Sequence, residues 1–275
     1  MSLSELAEEN LGLFKAGSYL APSGRPVTFA DALSAACLGT ILYSPETLED
    51  LLAKRTEGEG SVPSLEITGE TTGQALRRLV VDEEVAGVVA LNFASARNPG
   101  GGFLTGAKSQ EEDLCRASVL YPCLLRQPAY YDANRARRSA LYTDHVIYSP
   151  EVPFLRDEQR RLLEVPFNAS FITAPAPNAG AVLKNSPQEA PLLAPTFARR
   201  IRYVLTVAAA HRHRTVVLGA WGCGAFRNDP DQVAPIFRDA VRDRRFAGAF
   251  DRILFAIYDT GKDGKIRKAF DRALS

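Results

Sequence analysis

Three consecutive glycines, Gly100, Gly101 and Gly102, are separated by seven residues from Gln110, Glu111 and Glu112. A run of glycine gives up side-chain packing and backbone entropy, so it implies a positive-φ path or the close approach of a ligand. A phosphate or a sugar suits such a loop. Asn98-Pro99 leads into the glycines, and the apolar run Val88 to Ala94 before them reads as a buried strand. Ser109 and Glu112 have the spacing of a capping box, which opens a helix and gives Glu112 a structural role. A second glycine-rich stretch, Leu218 to Pro230, carries Gly222, Cys223, Gly224, Ala225 and Phe226 between another strand and a helix start near Asp229-Pro230. The backbone N–H groups of Gly222 to Phe226 form a concave donor set suited to a diphosphate.

Two common phosphate motifs fail by counting. A dinucleotide fingerprint begun at Gly100 meets Thr105 at its sixth position, and one begun at Gly222 meets Arg227. A Walker loop fits Gly101 to Gly106 until Ala107 intervenes before Lys108-Ser109, turning the lysine away from the phosphates. Around the second loop, Trp221 reads as core and the Cys223 thiol as small filler, since no histidine stands near it in sequence. Phe226 and Phe103 each have two readings, a contact to a ribose or base and a buried loop anchor.

The first segment resembles the signature of the poly(ADP-ribose) glycohydrolases: three glycines, a short spacer, then Gln-Glu-Glu. The second, Leu218 to Pro230, resembles the diphosphate-binding loop of macrodomains, the fold of that family. The length, the N-terminal extension and Asn98-Pro99 are most similar to the shorter bacterial-type branch. The resemblance implies release of ADP-ribose from poly(ADP-ribose), from chain ends, in the DNA damage response. It implies substrate contacts at Asn98, Gly100, Gly101, Gly102, Gln110, Gly222, Cys223, Gly224, Ala225 and Phe226, with Glu112 and Glu111 catalytic. Poly(ADP-ribose) or an ADP-ribosylated protein is then the partner, no cofactor or metal is needed, and the chain acts as a monomer. A departure stands at Asn92, where longer, animal-type members carry Asp at the strand end.

A bond between riboses breaks through an oxocarbenium-like state, which needs an acid for the departing oxygen and stabilisation of positive charge on the ring. By resemblance, Glu112 protonates the leaving 2′-oxygen and then activates water, while Glu111 binds hydroxyls of the distal ribose. Adjacent helical residues point about 100° apart, which suits different roles. A helix N-terminus favours an ionised carboxylate, so desolvation or the neighbouring charge must act against it to supply a proton donor. Two other readings remain open: a module that binds ADP-ribose without cleaving it, and a hydrolase of mono-ADP-ribosyl esters or O-acetyl-ADP-ribose.

The chain that must position these groups has 275 residues, with Lys plus Arg 33 against Asp plus Glu 32 and a formal charge of +1. That balance excludes bulk electrostatic capture of a nucleic acid, and no direct DNA binding is expected; a local basic patch is still allowed. No apolar run approaches the roughly 20 residues of a bilayer span, and the acidic, polar start shows no secretory signal, so a cytoplasmic protein is expected. Cys37, Cys115, Cys123 and Cys223 are scattered and read as reduced, mostly buried thiols. The three histidines lack metal-ligand spacing, and His211-Arg-His213 reads as a solvated helix end.

Residues 1–60 read as an N-terminal, mainly helical extension packed on a body spanning 61–275. Within it, Pro22 to Gly24 marks a hairpin from Tyr19 to Thr28, and Ser44-Pro45 opens a helix running to about Arg55. In the body, strand-length runs at Val88–Ala94, His145–Tyr148, Ala169–Ala174, Thr215–Gly219 and Arg252–Tyr258 alternate with amphipathic patterns. Phe197, Ile201, Val204, Leu205 and Ala208 mark one helical face, and Val233, Ile236, Phe237, Ala240 and Val241 another. The alternation predicts an α/β fold, and the resemblance implies a three-layer α/β/α macrodomain-like mixed sheet. Asn178 to Pro195 is expected as the longest surface loop.

Overall fold

The structure, a computed structural model, describes residues 1–261 and 263–275. Ser2 opens α1 (Leu3–Ala16) with a capping box to Glu5, and Gly17 ends it at φ 65°. The turn at Pro22 to Gly24 joins β1 (Ser18–Leu20) to β2 (Pro26–Thr28) as an antiparallel hairpin. After α2 (Ala30–Gly39) and β3 (Ile41–Tyr43), Ser44 Oγ accepts the Thr47 N–H at 3.2 Å and Pro45 starts α3 (Pro45–Ala53). Ser44 and Pro45 act as the sequence predicts.

The body continues with β4 (Ser64–Thr68), α4 (Thr72–Arg77), β5 (Val88–Phe93), α5 (Gln110–Ala117), α6 (Leu120–Leu125) and α7 (Pro128–Ala136). A long hairpin of β6 (Val146–Arg156) and β7 (Leu162–Ala174) follows, then α8 (Ala179–Asn185), α9 (Leu193–Ala210) and β8 (Thr215–Leu218). The chain closes with α10 (Pro230–Val241), β9 (Arg252–Ala256) and α11 (Lys265–Leu274). Seven strands form one sheet in the order β3-β6-β7-β5-β8-β9-β4. From β7 to β4 all neighbours are parallel, and β6 and β3 add antiparallel pairs at one edge.

Alternating residues of each strand feed two separate cores, one on each face. In β5, Val89 and Leu91 pack with α9 and α10, whereas Val88 and Ala90 pack with α4 and α5. Helices α3, α9, α10 and α11 cover the first face, and α1, α2, α4, α5, α6 and α7 the second. This is the three-layer α/β/α arrangement with a mixed sheet that was expected. Residues 1–60 supply α1 to α3 and also β3, the edge strand of the main sheet. Among the described residues no helix is long and apolar enough to cross a membrane.

Several expectations are corrected. The segment Asn178 to Pro195 is not a loop: Asn178 Oδ1 caps α8 by accepting the Ala181 N–H at 3.0 Å, and a 3₁₀ turn at Pro187–Leu192 leads into α9. The prolines there stand at or near helix starts, where a missing N–H costs nothing. Strands β6 and β7 extend well beyond the runs at His145–Tyr148 and Ala169–Ala174. Pro150 and Pro153 hide the length of β6; a register shift between Ser149 and Val152 accommodates Pro150, and Pro153 pairs opposite Asn168. His211 and His213 are not a solvated helix end. His213 is buried between Tyr148 OH, 2.8 Å from Nε2, and Gly87 O, 2.7 Å from Nδ1. His211 stacks on Tyr148 with centroids 3.6 Å apart and lies 2.8 Å from Tyr43 OH.

One buried cation ties the sheet to the loop that borders the site. Arg200 of α9 is fully buried; it pairs with Asp144 at 2.8 Å and donates to Pro175 O at 2.6 Å and Leu141 O at 3.0 Å. It thereby fastens the start of β6 to the end of β7. Arg200→Met leaves both carbonyls without that donor, and a loss of about 3 kcal/mol in unfolding free energy is expected by urea denaturation. A loss below about 1 kcal/mol would show that the network carries no such weight.

Candidate active site

Strands β5 and β8 are parallel neighbours, so the loops leaving their C-terminal ends lie side by side, the usual place for a ligand in an open parallel sheet. The first loop begins with a turn in which Ser95 Oγ accepts the N–H groups of Arg97 (3.3 Å) and Asn98 (3.2 Å). Asn98 O then accepts the Gly101 N–H at 3.0 Å, and Gly100 and Gly101 take φ values of 66° and 59°. Both glycines are required. A Cβ on Gly100 would lie 2.9 Å from the Tyr121 ring, and one on Gly101 would overlap Glu112 Oε1. Phe103 is buried, with its ring centroid 5.0 Å from that of Tyr121, so it is the loop anchor rather than a ligand contact.

Gln110 fixes the start of α5 to β5. The pairing of β5 with β8 runs through Ala90 opposite Val217. Beyond it, Gln110 Nε2 donates to Leu91 O at 2.8 Å and Gln110 Oε1 accepts the Phe93 N–H at 2.8 Å. A carboxamide carries its donor and its acceptor side by side, which matches the C=O and N–H of such a strand edge. Nε2 also donates to Thr72 Oγ1 at 3.1 Å, joining α4 to the same point.

The two glutamates meet different surroundings. Glu111 is buried; its Oε2 accepts the Ser95 N–H at 2.7 Å and its Oε1 accepts from Asn92 Nδ2 at 3.2 Å. Glu112 Oε1 accepts the Gly102 N–H at 2.8 Å, while its buried Oε2 has no partner among the described residues. The capping-box expectation therefore fails. Ser109 holds the N-cap position but makes no side-chain cap bond, and the Glu112 carboxylate is turned to the glycine loop.

Burial pushes the Glu111 carboxyl up to about 8, against the opposing hydrogen bonds from Ser95 and Asn92 and with help from the Glu112 charge. Asn92, fully buried, also donates to Thr173 Oγ1 at 3.2 Å, and its Oδ1 is unpartnered. An amide carries both a donor and an acceptor, so Asn92 can serve Glu111 with or without its proton. An Asp there would add a third buried carboxyl to the same cluster.

In the second loop, Cys223 N–H is taken by Ala220 O at 3.1 Å, and its buried thiol lies 3.9 Å from Trp221 O. Cys223 thus presents neither its N–H nor its side chain to the cleft. The N–H groups of Gly222, Gly224, Ala225 and Phe226 have no hydrogen-bond partner among the described residues. Gly222 turns at φ 75°, held by Asn228, whose Nδ2 donates to Gly222 O at 2.9 Å and Pro177 O at 2.8 Å. Trp221 is buried, edge-on to Phe197 with centroids 5.2 Å apart.

A single cleft of about 1400 Å³ joins the two loops. Asn98, Gly101, Gly102, Gln110, Glu111, Glu112, Gly222, Gly224, Ala225 and Phe226 all line it, and Gly100, buried beneath, does not. Ser95, Asn228, Thr72 and Tyr142 were missed by sequence reasoning. Tyr142, at φ 61°, faces the cleft with its ring 6.1 Å from that of Phe226. The Ser-x-Arg-Asn turn after β5 was a readable signal for Ser95. Nothing local points to Tyr142.

Two outcomes follow from this geometry. Gly101→Ala drives a methyl group into Glu112 Oε1 from a left-handed backbone, so catalytic turnover should fall by at least about 10²-fold with the far-UV circular dichroism unchanged. Retention of turnover would show that the loop and Glu112 are not in register. A carboxyl raised when folded keeps its proton where the unfolded chain has lost it, so Glu111 makes stability decline as pH climbs from 4.5 to about 8. Glu111→Gln, which has no such titration, should gain on the parent between pH 5 and pH 8.5 by on the order of a few kcal/mol at most, read from denaturation at both pH values. An equal difference at the two pH values would refute it.

A family model described as the catalytic domain of microbial-type PARG matches residues 7–157, a little more than half of the chain. The structure is similar to that of poly(ADP-ribose) glycohydrolase from Thermomonospora curvata, with 43% identity, 98% of each chain covered and a TM-score of 0.92. A structure of the T. curvata protein bound to the inhibitor ADP-HPD matches at 43% identity, with the same coverage and a TM-score of 0.90. The Deinococcus radiodurans poly(ADP-ribose) glycohydrolase in complex with ADP-ribose matches at 48% identity over 88% of this chain and 96% of that one, with a TM-score of 0.82. A search of curated proteins gave no significant match. With the signature, the fold and both loops in agreement, the chain belongs to the microbial-type poly(ADP-ribose) glycohydrolase family.

Proposed function

We propose that this chain hydrolyses the ribose–ribose O-glycosidic bonds of poly(ADP-ribose), chiefly from chain ends, and releases ADP-ribose. The observation that carries the reading is Glu112, with one carboxylate oxygen fixed by the Gly102 N–H and the other buried at the cleft without a partner. The relatives solved with ADP-ribose and with ADP-HPD support the ligand class. On the family resemblance, the reading extends to a monomeric cytoplasmic enzyme of the DNA damage response.

In this reading the diphosphate lies on the N–H groups of Gly222, Gly224, Ala225 and Phe226, where backbone dipoles replace charged side chains. Phe226 and Tyr142 flank the adenosine side. The distal ribose sits between Asn98, Gly101, Gly102 and Glu111. Glu112 Oε2 gives a proton to the departing 2′-oxygen as the C1″–O2′ bond breaks, and the Glu112 carboxylate so formed stabilises the positive ring. Water then adds to C1″ and returns a proton to Glu112, which restores the starting state.

Purified protein incubated with poly(ADP-ribose) should yield free ADP-ribose as its first product. Glu112→Ala should lower that rate by at least about 10²-fold while ADP-ribose still binds with nearly the parent affinity. Undiminished release by the variant would remove Glu112 from the chemistry. Mono-ADP-ribosylated protein serves as a parallel substrate: release from it alone would move the assignment to ester hydrolysis, and binding without release from either would make the chain a reader.

A further inference from the structure

Four exposed arginines stand on the glycine loop, in the last turn of α7 and on the segment that follows it. Arg97 lines the cleft one residue before Asn98, and Arg135, in the last turn of α7, donates to Arg97 O at 2.5 Å. Arg137 and Arg138 follow directly where α7 ends, on the segment that leads to Tyr142 at the cleft wall. Arg135 pairs with Asp132 at 2.7 Å, whereas Arg97, Arg137 and Arg138 form no ion pair among the described residues. The other acids on the adjoining elements are occupied: Glu189 by Ser139 Oγ at 2.7 Å, and Asp144 by Arg199 and Arg200, both at 2.8 Å. The rim therefore has four guanidiniums against Asp132 and Glu189, a surplus of two, whereas the chain as a whole carries +1.

We propose that this rim binds the polymer beyond the scissile bond, holding the diphosphate of the unit that leaves. The inference rests on the proposed hydrolysis of poly(ADP-ribose). In that reaction the leaving group is the 2′-oxygen of the preceding adenosine, and that unit's own diphosphate is attached across the same ribose. Glu112 lies against Gly102 in that loop, so a leaving unit that runs from Glu112 over Arg97 to Gly102 meets the rim. Guanidiniums pair with phosphate oxygens through two parallel donors, and unpaired exposed ones give up no existing partner to do so. The terminal unit is gripped by neutral backbone donors, and the polyanionic remainder by the rim.

The test compares the parent with Arg137→Ala/Arg138→Ala and with Arg97→Ala. Free ADP-ribose, which fills only the terminal site, should bind all three alike. KM for poly(ADP-ribose) at low salt should rise about five- to tenfold in the variants, kcat should hold, and the salt dependence of kcat/KM should flatten. Unchanged KM and salt dependence in variants that still hydrolyse the polymer would overturn the rim while leaving the activity standing. If the parent itself releases nothing from the polymer, the proposed activity fails and the rim with it. A single-stranded DNA oligonucleotide is the control polyanion: binding to the parent that the variants lose, without a change in polymer KM, would assign the rim to nucleic acid and refute the proposal.

Discussion

The carboxamide of Gln110 joins the first turn of α5 to the edge of β5, giving one hydrogen bond to Leu91 O and taking one from Phe93 N–H. The rest of the site depends on that junction. It sets the height of α5 against the sheet, and so places Glu111 where the Ser95 N–H reaches one oxygen and Glu112 where the Gly102 N–H reaches another. The glycine loop is fixed from the other side by the same bonds. A side chain able only to donate or only to accept would leave one strand group unpaired in a half-buried position.

The electrostatics follow from burial more than from net charge. Two adjacent carboxyls are held in one buried cluster, and three neutral N–H or amide donors, from Ser95, Asn92 and Gly102, face them. No cation neutralises the pair at these contacts, so desolvation retains a proton on Glu111. In the second loop, too, neutral groups dominate: Asn228 holds Gly222, and four backbone N–H groups remain open. Near-neutral composition is compatible with recognition of a charged substrate, because aligned backbone dipoles can hold an anion without a basic surface.

Local features were readable wherever the physics is local. The hairpin at Tyr19 to Thr28, the Ser44-Pro45 helix start, the Asp229-Pro230 start of α10 and the buried faces of α9 and α10 all depend on neighbours within a turn or two. Readings failed where a distant segment competes for the same group. The Ser109–Glu112 spacing satisfies a capping box, yet the Gly102 N–H, ten residues away, takes the carboxylate. His211 and His213 look solvated until β3 and β6 bring Tyr43 and Tyr148 onto them. Pro150 and Pro153 mask β6, whose continuation depends on pairing with β7.

The amino-acid sequence by itself carried the resemblance to the family, the two glycine loops and the pair of glutamates, because three glycines and Gln-Glu-Glu at a fixed spacing are legible in the order of residues alone. Only the tertiary structure decided how the glutamates differ. Their chemical identity is the same and they are adjacent, so nothing in the chain order separates them. The distinction arises from what the fold sets opposite each: Asn92 and Ser95 against both oxygens of Glu111, and a single N–H against Glu112, whose second oxygen stays unpaired. Those partners come from β5 and from the loop after it, and sheet pairing and the Gln110 junction bring them within hydrogen-bond distance.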